Sequence, residues 1–157
     1  MPILNYTTTI AVHKTVSEIQ EKLAKAGAIA VSIDYDEQKQ PSALTFAIMV
    51  RNYPVNFRLP SRWNGVYHKV RSDYTISKKL RTEEQARRVA WRIVKDWVEA
   101  QLALIDAGCA ELPEVFLPYA VSPTGETLFE KLSSSPQLIA NIPEPPKPQQ
   151  VSGEVIE

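Results

Sequence analysis

The chain has 157 residues, 44% hydrophobic and 23% charged, with five Gly, twelve Pro and a single Cys. This composition excludes a collagen, a coiled coil and a wholly disordered chain, and the length lets one core bury about 70% of the unfolded surface without a disulfide or metal staple. Eighteen Lys and Arg balance eighteen Asp and Glu, but twelve of those cations and only three acids fall between Arg51 and Lys95, a net +9 that residues 1–50 (−1) and 96–157 (−8) offset. Such a basic middle third suggests a surface that faces a polyanion.

In chain order, Tyr6, Thr8, Ile10 and Val12 alternate with polar or small residues, which predicts a first strand. Thr15 stands three residues before Glu18, a capping-box spacing, and Val16, Ile19, Leu23 and Ala26 recur at helical intervals before Gly27, predicting a short helix. Ile29 to Tyr35 resumes the period of two and predicts a second strand, ended by the polar turn Asp36 to Pro41. Leu44, Phe46, Ile48 and Val50, with Ala43, Ala47 and Met49 between them, predict a central strand covered on both sides. Arg51 and Asn52 then read as a two-residue hairpin turn into a strand from Tyr53 to Leu59, whose Pro54 marks it as an edge.

Pro60 to Arg81 lacks sustained periodicity and reads as a long ordered loop, with Val66 to Val70 a possible short strand. Thr82 to Ala107 is the clearest helix: Thr82 and Gln85 form a second capping box, Glu83 and Glu84 favour the N-terminal end of the dipole, and Gly108 can close the far end. LPEVFLPYAV (112–121) is expected to cover the apolar C-terminal half of that helix through Phe116, Leu117 and Tyr119, and a short helix is expected from Thr124 to Leu132. From Ser133 onward, serines, prolines and acids read as a disordered tail.

The sum is an α+β domain over 1–132, an antiparallel sheet of about four strands in the order strand, helix, three strands, long helix, with helices on one face, a C-terminal packing segment and a Pro-rich acidic tail at 133–157. No apolar run approaches the roughly 20 residues of a membrane span, and MPILNYTTTI lacks the basic-then-apolar order of a signal peptide. The expectation is a cytoplasmic protein without a membrane partner.

The candidate site is basic. Arg81, Arg88, Arg92 and Lys95 fall near one face of the long helix, flanked by Arg87. With Arg51, Arg58, Arg62 and Arg71 beside them, guanidinium forks could hold phosphates while Trp63, Tyr67 and Tyr74 stack on bases. A solvated helix face with aromatics plugging the loop onto the core is the plain alternative. Catalysis and metal binding find little footing. His13 and His68 stand far apart, a zinc site needs about four ligands, Cys109 follows a helix end, and Asp34, Asp36 and Glu37 read first as a hairpin turn. Asp73 and Asp96 have no metal-favouring spacing, and neither GxGxxG nor GxxxxGK[ST] occurs. No metal, cofactor or catalytic residue is assigned.

QARRVAWRIVKDWVEAQLALIDAG followed by EVFLPY, with YTTTI at the start and a helix leading into AGA, resembles small uncharacterised proteins of tailed phages and prophages. The resemblance covers roughly the first 130 residues and implies an accessory role in phage DNA metabolism or host takeover, in the host cytoplasm. Thr15 to Leu104 also resembles double-stranded-RNA-binding domains in its order of helix, three strands and helix, with PSALTF before the middle strand and Lys78 and Lys79 before the last helix. It departs from them in the length of the segment after Pro60 and in lacking His after Pro41.

The leading expectation is a non-enzymatic nucleic-acid-binding protein using the 51–95 region. The alternatives are a host-directed inhibitor that engages a host or phage protein, and a trap for a nucleotide signal built from the same Arg cluster, with a homo-oligomer possible in either.

Overall fold

A computed structural model describes residues 1–140. Helix α1 (Val12–Lys25) buries Thr15, Val16, Ile19 and Leu23, the stripe its apolar spacing dictates. It begins four residues earlier than the Thr15–Glu18 spacing suggests. Thr15 therefore sits buried inside the helix and Ala11 is the N-cap, without a side-chain cap. At the other end Gly27 takes φ +106°, and the Ala28 amide donates to the Leu23 carbonyl at 3.0 Å, a left-handed closure that glycine allows without strain.

Strands β1 (Ala30–Tyr35), β2 (Pro41–Val50) and β3 (Tyr53–Pro60) form an antiparallel sheet with β2 in the middle. The register aligns Val31, Phe46 and Phe57 across the three strands, and likewise Ile33, Leu44 and Leu59. These rows form the face that packs on the helices. Ala43 and Ala47 on the other face are also buried, but Met49 is exposed. Arg51 (φ +48°) and Asn52 (φ +70°) close the β2–β3 hairpin, both with the positive φ that a tight type I′ connection needs. Pro54 lies on an edge strand, as its missing N–H requires.

Two expectations are corrected. The sheet has three strands, not four, because Asn5 to Val12 forms no strand. Asn5 turns the backbone at φ +63°, and the carbonyls of Tyr6 and Thr8 both accept from Gln85 Nε2 at 2.9 Å instead of from a neighbouring strand. Nor is Pro60 to Arg81 a loop: it holds helix α2 (Trp63–Ser72) and a 3₁₀ turn at Lys78–Leu80. Trp63, Val66, Tyr67 and Val70 follow the i, i+3, i+4, i+7 rule, and α2 packs along the long helix with Val70 and Ile76 buried.

Helix α3 (Glu83–Asp106) is capped by Thr82, whose Oγ1 accepts from the Gln85 amide at 3.2 Å, and closes at Gly108 (φ +74°). Trp91 and Val98 join α1 and the sheet in one core. Helix α4 (Leu112–Phe116) and the 3₁₀ turn Leu117–Tyr119 complete that core. Phe116 is fully buried and meets Phe46 and Trp97 edge-on at 5.3 and 5.4 Å, and Tyr119 meets Trp97 at 5.5 Å. Leu117, expected to pack, is exposed. Helix α5 (Leu128–Ser134) starts at a capping box formed by Thr127 and Glu130, and a 3₁₀ turn follows at Pro136–Leu138. Residues 141–157 of the expected tail lie outside the described residues.

Candidate nucleic-acid interface

The cations expected on α3 are drawn into the packing of α3 against its neighbours. Arg92 donates from Nη1 to Glu18 Oε2 at 2.7 Å, bridging to α1. Lys95 meets Glu99 at 2.9 Å, and Glu99 also takes Lys22 of α1 at 2.8 Å. These two ammonium groups hold the Glu99 carboxyl below the usual carboxylate range. Arg88 donates to Glu84 Oε1 and to Gln85 Oε1, both at 2.9 Å. Arg87, with only 7% of its surface exposed, donates to Asp36 Oδ2 at 2.8 Å and to Gln38 at 2.9 Å. The amides of Gln40 and Gln38, together with Arg87, lower the Asp36 pKa. Sequence reading missed these acids because Glu18 and Asp36 lie on α1 and the β1–β2 turn, dozens of residues upstream.

The strand cations are placed differently from one another. Arg51 is exposed at the hairpin tip, at the opposite end of β3 from Arg62, and β3's eight residues span roughly 25 Å. Arg58 reaches the Gly125 carbonyl at 3.1 Å and Asp34 at 4.0 Å.

The α2 segment differs. Arg62, Lys69, Arg71, Lys78 and Lys79 are exposed and Arg81 is half-buried; among the described residues none lies within 4.0 Å of a carboxylate. The one acid inside the segment, Asp73, is turned to the amide and hydroxyl of Thr75, and these bonds lower its pKa. Two aromatics carry guanidinium groups over their rings: Arg71 lies 5.9 Å from the Tyr67 centroid and Arg81 5.3 Å from that of Tyr74. Tyr74 is 85% exposed. Trp63 is half-buried, and Arg87 covers one face of its indole at 4.1 Å. Of the three expected stacking residues, Tyr74 is thus the open platform, Tyr67 is partly open and Trp63 is engaged within the fold.

These unpaired cations do not surround a cavity. The groove that holds Arg92 and Lys95 is also lined by Glu18, Glu21 and Glu99. A second hollow, about 290 Å³, lies between β3, α2 and α3 and has Arg62 as its single charged residue. His13 borders a groove with Glu84 and Arg88 at the start of α3, whereas Cys109 lies beyond its far end, a helix of roughly 36 Å away. Among the described residues no three His, Cys, Asp or Glu side chains cluster as metal ligands, and no helix is long and apolar enough to cross a membrane. No family model, curated protein or solved structure matches the chain.

Proposed function

We propose that this protein binds single-stranded nucleic acid, without chemistry of its own, through α2 and the turn that follows it. The observation that carries the reading is the contrast within the basic third. The α3 cations are neutralised by neighbouring acids, and those between Arg62 and Arg81 are not. An unpaired cation can exchange counterions for phosphate at little internal cost, whereas a paired one must first give up its carboxylate. Tyr74 beside Arg81 and Tyr67 beside Arg71 supply ring faces and forks on the same segment, the combination that holds unpaired bases and the backbone between them. We extend the reading to an accessory role in phage nucleic-acid metabolism, which the sequence resemblance to small tailed-phage proteins implies.

The test is fluorescence anisotropy with labelled single-stranded and duplex oligonucleotides at two salt concentrations, on the parent chain and on Lys78→Ala/Lys79→Ala. Single strands are expected to bind more tightly than duplex, with affinity falling steeply with salt. The log–log slope should shrink by about 0.7 for each phosphate that the variant no longer neutralises. Absence of binding at low salt, or a flat salt response, would remove the reading.

A further inference from the structure

The open hollow between β3, α2 and α3 has a volume of about 290 Å³, near the lower end of small-molecule sites. Its walls include Leu59 at the end of β3, Val66 of α2, Ala90, Ile93 and Trp97 along one side of α3, and Tyr119 of the 3₁₀ turn after α4. No acid and no lysine lines it, and Arg62 is its one charged residue. Such a lining favours an apolar body and disfavours any group that must keep several hydrogen bonds, because the walls would leave those bonds unmade.

Arg62 supplies the polar end. Its guanidinium carbon stands 5.7 Å from the centroid of Phe129 on α5. An aromatic ring offers no lone-pair acceptor, so this contact leaves the guanidinium N–H groups available to donate. Among the described residues no carboxylate lies within 4.0 Å of it. Arg62 thus brings to an apolar hollow a planar fork suited to two parallel bonds with one carboxylate. Phe129 is itself exposed and extends apolar surface beside it.

We propose that this hollow binds a small amphiphilic acid: an unbranched aliphatic chain against Leu59, Val66, Ile93 and Trp97, ending in one carboxylate on Arg62. A nucleotide suits it less, since its phosphates carry several negative charges and the hollow offers one cation, with only the Tyr119 hydroxyl and the Trp97 indole N–H as further donors. A peptide segment would bring backbone N–H and C=O groups that these walls cannot satisfy. This site shares Arg62 with the nucleic-acid face, but the test residues of that reading, Lys78 and Lys79, do not line it.

The experiment is titration of the ¹⁵N-labelled chain with octanoate, with octanol and octyltrimethylammonium as controls, followed by NMR. Octanoate is expected to shift the amides of Val66, Ala90, Ile93 and Trp97 saturably and to bind about tenfold more tightly than octanol, the scale of one charge-assisted bond at a wet rim. The ammonium analogue should bind more weakly than either. Arg62→Gln, an exposed change that leaves the core intact, should bring octanoate down to the level of octanol and leave octanol unchanged. Val66→Trp, which fills the hollow, should abolish both. The proposal is overturned if octanoate gives no saturable shift in the millimolar range, if its shifts map to other residues, or if Arg62→Gln keeps the preference for the acid. Nucleic-acid binding by the parent chain decides none of these outcomes.

Discussion

Arg87 lies over the indole of Trp63, its guanidinium carbon 4.1 Å from the ring centroid, while its nitrogens hold Asp36 at 2.8 Å and Gln38 at 2.9 Å. One side chain of α3 thereby fastens both α2 and the β1–β2 turn. Arg87→Ala is expected to destabilise the fold by about 2–4 kcal/mol, the sum of a charge-assisted bond and a largely desolvated cation–π interaction. Arg87→Lys should recover less than half of that loss, since an ammonium cannot both fork and stack. Urea denaturation of the three proteins measures it. Equal stability of Arg87→Ala and the parent would contradict the fastening role.

Gln85 and Asp96 are eleven residues apart, three turns of α3 and so on one face, and both hold the N-terminal segment: Gln85 through the Tyr6 and Thr8 carbonyls, Asp96 through Asn5 Nδ2 at 2.7 Å. Gln85→Ala leaves these carbonyls without their donor and should cost about 1–3 kcal/mol. The freed segment should also become the first site of limited proteolysis, with chymotrypsin cleavage after Leu4 or Tyr6. Protection equal to that of the parent would show that the segment is held by its packing alone.

That segment also marks where sequence reading stops. Its period of two is real, but a strand needs a partner edge, and Gln85 takes its carbonyls instead. The hairpin at Arg51 and Asn52 was legible because a turn is local. Helix α2 was hidden: Trp63, Val66, Tyr67 and Val70 have helical spacing, but Gly65 and the polar, cationic residues among them blur a segment of only ten residues. The basic face was legible as composition only. Whether a cation is free depends on acids such as Glu18, 74 residues from Arg92, and no spacing along the chain reveals that pairing.

Glu99 joins α1 to α3 through Lys22 and Lys95, and these partners lower its pKa. A carboxyl whose folded pKa is depressed contributes its full stability above its ordinary pKa and loses it as the pH falls through the lowered value. Thermal melts should therefore drop below the ordinary carboxylate range. In Glu99→Gln that acid-side drop should be shallower, and the melting temperature near neutral pH lower. An unchanged acid limb in the variant would mean that other carboxylates govern it.

Arg51 separates stability from binding. With φ at +48°, its side chain bears the steric cost of the left-handed region, and the preferred residues for this turn are Asn followed by Gly. The double change Arg51→Asn/Asn52→Gly should raise stability by about 0.5–1 kcal/mol, the relieved left-handed strain less the entropy a new glycine adds to the unfolded chain. It also removes one of the cations the sequence places in the basic third, at the end of β3 remote from α2. If nucleic acid is held by the unpaired cations between Arg62 and Arg81, this variant keeps the parent's affinity for a labelled single strand and the parent's salt slope, and Lys69→Ala/Arg71→Ala loses both. Comparable losses in the two variants would mean that the net +9 acts as a diffuse field over the whole surface, because a field depends on how many charges it has and a docking face on where they are.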